Sequence, residues 1–204
     1  MITKALLLRY ESQTDEDTMD TFLEDLSAQV SWEKTTQAWF GIRYMRGEFG
    51  MYSCFDDEAG REAHLAGEAV KQVFAAEQKL MTAAPRATKI EILGCKMPNA
   101  LEGVTKGLVL RFKAKPGKEA EVAKMMRDCV PLVDKEAGTL AWFANRYDES
   151  HFGTFAAFAD TGARFAHLTG QIPRALGITG LSLLGGTPEV HMVDVMAGTA
   201  RQRG

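Results

Sequence analysis

Residues 36–44 read TQAWFGIRY and residues 139–147 read TLAWFANRY. Six of the nine positions agree across an offset of 103, and self-similarity at a fixed offset is the signature of a duplicated structural unit. Working outward, TKALLLRY at 3–10 answers TKGLVLRF at 105–112, and REAHLAG at 61–67 answers RFAHLTG at 164–170. Between them Phe49, Gly50, Phe55 and Asp57 correspond to Phe152, Gly153, Phe158 and Asp160. The offset is 102 in the opening block and 103 afterwards, so the second copy carries one inserted residue ahead of its AWF phrase. The chain of 204 residues reads as two repeats, 1–98 and 103–198, each of about the size of a small domain.

Within a repeat the pattern gives the element order. LLLRY and LVLRF are apolar runs of strand length. A helix follows: Phe22, Leu23, Leu26 and Val30 mark one apolar stripe after the acidic run DEDTMD, and Val122, Met125, Met126 and Cys129 mark its counterpart. The AWF phrase, its turn (RGEFG or DESHFG) and MYSCF or TFAAF read as a hairpin. Asp57 and Asp160 are placed to cap a second helix carrying the AHL triplet, and TKIEILG and VHMVDVM alternate as a closing strand. The order βαββαβ predicts an α+β fold of two ferredoxin-like repeats. A four-stranded sheet covered by helices on one face leaves the other apolar face bare. Two copies in one chain can bury that face as an intrachain, dimeric α/β-barrel-like pseudo-dimer.

Composition narrows the function classes. The chain is 46% hydrophobic and 25% charged with a formal charge of −3, which speaks against a nucleic-acid footprint. Charge divides as −6 over residues 1–102 and +3 over 103–204, a difference that would favour docking of the halves. Cys54, Cys95 and Cys129 are odd in number and form no CxxC pair, so neither a disulfide scaffold nor a zinc site is indicated. The opening apolar run is too short for a signal peptide or a membrane span, and a cytoplasmic protein is expected.

The second copy, over residues 104–170, resembles the antibiotic biosynthesis monooxygenase (ABM) family of the dimeric α/β-barrel superfamily. The resemblance rests on the strand followed by KAKPGKE, on EAGTLAWFANRYDE and on ADTGARFAHL. It implies a small-molecule ligand, and for an enzyme a cofactor-independent monooxygenase of a small aromatic or quinol-like compound. A non-catalytic small-molecule binding or stress-response protein is the other reading. No flavin, nicotinamide or metal motif is present, so no cofactor is expected, and further association into a homo-oligomer fits the superfamily. The haem-degrading branch is not matched. Its asparagine would fall at Leu8 and Leu110 and its histidine near Phe74 and Gly177.

His64 and His167 are the duplicated histidines, and a neutral imidazole can take the proton of a phenol. No carboxylate or cysteine stands at a fixed short spacing from them except Glu68 in the first copy, so a packing or capping role is favoured over catalysis for both. Trp39 and Trp142 share strand faces with Arg43 and Arg146, while Phe40, Tyr44, Phe143 and Tyr147 take the opposite faces. Aromatic and arginine side chains suit a flat oxygenated substrate, although core packing accounts for the same residues more simply. Asn145 replaces Ile42 and could orient a substrate oxygen in the second copy alone. The candidate set is thus His167 as base, with His64 its counterpart, and Trp142, Asn145, Arg146, Tyr147, Trp39 and Arg43 as ligand contacts. After AHL the copies diverge: an alanine-rich helix is expected in the first. A helix broken by Pro173, Gly177 and Gly180, at a pocket mouth or lid, is expected in the second.

Overall fold

The computed structural model describes residues 1–45, 47–98, 100–170, 180 and 182–201. The fold is mixed α+β, and each repeat follows the expected order. The first comprises β1 (Lys4–Glu11), α1 (Glu16–Val30), β2 (Thr36–Met45), β3 (Glu48–Phe55), α2 (Glu58–Leu65), α3 (Glu68–Ala75), α4 (Glu77–Leu80) and β4 (Arg86–Lys96). The second comprises β5 (Lys106–Lys113), α5 (Glu119–Asp128), α6 (Val130–Asp134), β6 (Thr139–Arg146), β7 (His151–Phe158), α7 (Thr161–Thr169) and β8 (Glu189–Ala200). No helix among the described residues is long and apolar enough to cross a membrane.

Two compact units result, cut differently from the repeats. One takes residues 1–90 with the chain from 193 onward, the other 91–98 with 102–192. In the first unit β1 and β2 both pair antiparallel with β3, and β2 pairs outward with β8, Arg43 opposite Asp194. In the second, β5 and β6 pair with β7, and β6 pairs outward with β4, Glu91 opposite Arg146. Part of each closing strand therefore joins the sheet of the other repeat, β4 from Glu91 and β8 from Val193.

The local signals behave as expected at the caps. Asp57 accepts from the Gly60 amide and Asp160 from the Ala163 amide, both at 2.8 Å, and Asp15 caps α1 through the Thr18 amide. The helices are more broken than their propensities suggest. The alanine-rich stretch is not one helix. α2 stops at Ala66, α3 starts from Gly67, whose ψ of 167° is extended, and a second break at Ala76 separates α3 from α4. The α5 stripe likewise ends at Cys129, two residues before Pro131, which has no N–H to continue the helix. The expected break over 171–179 lies outside the described residues.

The two hairpins close by different chemistry. Gly47 supplies φ +73° between β2 and β3. Between β6 and β7 no glycine is used. Asp148 instead accepts from the Ser150 and His151 amides, each at 2.8 Å, and from His151 Nδ1 at 2.9 Å. A burial cost is outweighed by these hydrogen bonds, which pull the Asp148 carboxyl down to about 2. A depressed folded-state pKa means stability present above the ordinary carboxylate value and lost as pH falls through the folded one. Asp148 is largely exposed, so Asp148→Ala should cost at most about 1 kcal/mol at pH 7. That gap to wild type, measured by urea denaturation, should narrow as pH falls from about 4 towards 2.

In each unit the core lies between helices and sheet. Leu6, Leu8, Trp39, Met51 and Phe55 meet Leu23, Leu26 and Val73 in the first. Leu108, Trp142, Ala156 and Phe158 meet Val122, Met126 and Val133 in the second. Both tryptophans thus face the helices.

Candidate functional site

The duplicated histidines sit in the same hydrogen-bonded node, once per unit. His64, on α2, is buried, and its Nδ1 lies 2.5 Å from Glu33 Oε2 in the loop between α1 and β2. The Thr36 hydroxyl at the start of β2 donates to the same oxygen at 2.5 Å and lies 3.3 Å from Nδ1. His167, on α7, repeats the arrangement: Glu136 Oε2 at 2.6 Å from Nδ1, and the Thr139 hydroxyl at 2.7 Å from Glu136 and 3.2 Å from Nδ1. Each ring packs on a phenylalanine of the sheet, Phe55 or Phe158, with centroids 5.2 Å apart in both cases. The glycine after each AHL triplet belongs to the node too. A Cβ at Gly67 or Gly170 would stand 3.2 or 3.3 Å from the glutamate's other oxygen. The node ties the second helix to the start of β2 or β6. Glu68, the carboxylate near in sequence, bonds Lys71 instead.

The copies differ at Nε2. A carboxylate only accepts, so Nδ1 carries the proton and Nε2 of the neutral ring is an acceptor. In the first unit the Ser53 hydroxyl of β3 fills it at 3.2 Å. The matching residue of β7 is Ala156, which has no hydroxyl, and no described group bonds His167 Nε2. Above this floor the first unit is filled: the void between Trp39, Met51, His64 and Val70 measures about 10 Å³, at the lower limit for one water.

The floor of the second unit carries its hydroxyl at the other position. Trp142 lies directly across from Ala156, and Thr154 lies two residues from Ala156 on the same face of β7, where the first copy has Met51. Trp142 Nε1 and Thr154 Oγ1 are both buried with no hydrogen-bond partner among the described residues. An indole donor, a threonine hydroxyl and an imidazole acceptor therefore share the helix-facing side of one sheet. A buried polar atom left unpaired costs about 1–3 kcal/mol, so such a group is one a ligand could satisfy. On the solvent side of the same node a groove of about 330 Å³ runs past Lys135, Glu136, Ala163 and His167. In the first unit the unpartnered atoms include Tyr10 Oη and Asp20 Oδ1, and burial raises the pKa of both groups, for Asp20 against the pull of Arg43.

The other sequence-predicted contacts fall elsewhere. Arg43 is held by Glu16 at 2.6 Å and Asp194 at 3.1 Å. Arg146 stands on Trp142's face at the strand end, with Nε 3.2 Å from the Asp148 carbonyl. Asn145 is fully buried and, by strand alternation, on the opposite face from Trp142. The Tyr147 ring carries the Arg111 guanidinium at 4.4 Å, as Tyr44 carries that of Arg9 at 4.2 Å. The structure thus brings His167 and Trp142 to one side and separates Asn145 from them. Sequence reasoning missed Glu33, Glu136, Ser53 and Thr154. The repeat held the signal for each: Glu33 and Glu136 recur at the offset of 103, and Met51/Thr154 and Ser53/Ala156 are where the copies change polarity.

Comparison with known proteins supports the fold. A candidate monooxygenase from Fusobacterium nucleatum superposes over 98% of this chain and 95% of its own with a TM-score of 0.84 at 16% identity. An anthrone oxidase-like protein matches over 97% of this chain and 93% of its own, TM-score 0.63, at 12% identity. A protein of unknown function from Nitrosomonas europaea is 40% identical over 50% of this chain and 96% of its own, TM-score 0.47. No family model and no curated protein matches the chain. The chain has the fold of the ABM-like monooxygenases, as its second repeat led us to expect.

Proposed function

We propose that the protein is an ABM-like, cofactor-independent monooxygenase of a small aromatic or quinol-like compound, its two repeats packed as an intrachain pseudo-dimer barrel. The ligand site lies, on this reading, under α7 in the second copy. The observation that carries it is the pair of buried, unpartnered groups on that side of the sheet, Trp142 Nε1 and Thr154 Oγ1, beside an imidazole whose Nδ1 is taken by Glu136. The indole N–H and the threonine hydroxyl would hold the oxygens of a flat phenolic ligand, and Arg146 stands on the same face at the strand end. His167, fixed in its Nδ1–H tautomer by Glu136, would take the substrate's proton at Nε2. For an anthrone the resulting carbanion passes one electron to O₂, and the radical pair combines to a hydroperoxide. Loss of water then leaves the ketone: R₂CH₂ and O₂ give R₂C=O and H₂O. The protein supplies the base, the orientation and a dry surface, and the substrate supplies the electrons. Names of structural neighbours that include monooxygenases and an anthrone oxidase-like protein support this class of reaction.

Oxygen uptake with a panel of anthrones and hydroquinones tests it. Wild type should consume one O₂ per anthrone, and His167→Gln should lower the rate by about a hundredfold or more. His64→Gln breaks the equivalent node in the first copy, so it should cost similar stability while leaving uptake in place. Ligand binding without uptake would instead support the binding-protein reading, and uptake unchanged by His167→Gln would remove the base assignment.

A further inference from the structure

The two copies keep one histidine node but differ by a single oxygen beneath it. We propose that the residue at the position shared by Ser53 and Ala156 decides which histidine can offer its Nε2 to a ligand: Ser53 occupies that nitrogen in the first copy, and Ala156 leaves it free in the second. This rests on the proposed ligand site under α7.

Both imidazoles are held in one pose, with Nδ1 on a glutamate and a phenylalanine against the face, so Nε2 of each is directed at the same sheet position. In the first copy that position is a serine, only 1% exposed, whose hydroxyl lies 3.2 Å from His64 Nε2. A ligand proton could reach Nε2 only by displacing the hydroxyl, which would then be buried without an acceptor. The neighbouring residue on the same face, Met51, offers no donor, and the void there is too small for a ligand. The second copy differs at both positions, with alanine for serine and threonine for methionine, and its Trp142 indole N–H is buried without a partner. Ser53 is thus a closing residue, and Ala156 is a specificity-determining absence. A duplicated sheet can in this way keep the histidine for folding in both halves and free it for a ligand in one.

Reciprocal exchange tests this in the full chain. Ala156→Ser introduces a hydroxyl that the first copy accommodates at the equivalent position, so the variant should fold. It should lower kcat/KM for an anthrone at least about tenfold. The ¹⁵N shift of His167 Nε2 should move to the value shown by His64 in wild type. Ser53→Ala should move the His64 Nε2 shift alone and leave turnover unchanged. An active wild type whose Ala156→Ser variant keeps full kcat/KM, with the His167 shift moved, would overturn the proposal while sparing the proposed site. An Ala156→Ser variant whose His167 shift does not move would overturn it too, because the hydroxyl would not be reaching Nε2. A wild type that neither binds nor oxidises an anthrone would instead remove the ligand site, and the proposal with it.

Discussion

Trp142→Ala should destabilise the protein by about 3–5 kcal/mol, and Trp39→Ala by a similar amount, in urea denaturation at neutral pH. Both indoles are 1% exposed and lie in the helix-facing cores, so truncation removes a large apolar surface and leaves a cavity that a close-packed interior cannot refill. The two differ in the milder substitution. Trp142→Phe keeps most of the packing and deletes an N–H that has no described partner, so its stability cost should be below about 1.5 kcal/mol. Under the proposed function the same variant should raise KM for a phenolic ligand, because the lost N–H is a ligand donor. Trp39→Phe should change stability alone. A Trp142→Phe variant as damaged as Trp142→Ala would mean that the indole N–H is already satisfied by the protein.

Gly153→Ala should be as severe, costing more than about 3 kcal/mol, whereas Gly50→Ala should cost about 1–2 kcal/mol. A Cβ at Gly153 would run into the backbone carbonyl of Leu110 on the paired strand β5, and backbone in the middle of a sheet has nowhere to go. At Gly50 the nearest backbone atom, the Leu8 carbonyl oxygen, stands at 3.2 Å from the same methyl position, which a small shift relieves. The Tyr44 and Tyr147 rings, each 3.0 Å from where the new methyl would stand, are displaced in both cases. Equal losses at the two glycines would contradict the closer strand approach in the second unit.

Much of the fold was legible because its signals are local or repeated. The offset of 103 located both repeats, Asp57 and Asp160 announced their helix starts, and the paired tryptophans marked β2 and β6. The exchange of closing strands was not legible, since Val193–Ala200 carries the same alternation whichever sheet edge it joins. Helix breaks at Gly67 and Pro131 were hidden by stretches of good helix propensity around them. For the site, the histidines were visible and their partners were not: Glu33 and Glu136 lie 31 residues upstream, a spacing that only the folded chain closes. Thr154 and Ala156 were readable as differences between copies. Their meaning depended on knowing which face of β7 looks at the helices. Asn145 shows the converse, a polar change that drew notice in sequence and falls on the other face of the strand from Trp142.

Under the proposed function, one copy uses its histidine node for folding alone and the other for folding and a ligand. A crystal structure of the protein with a hydroxylated anthraquinone, a stable product analogue of an anthrone, tests this most directly. The expected result is one ligand per chain, on the helix-facing side of the second unit's sheet, with oxygens within about 3.2 Å of Trp142 Nε1 and Thr154 Oγ1 and near His167 Nε2. A ligand against Ser53 and His64, or on neither sheet, would contradict it.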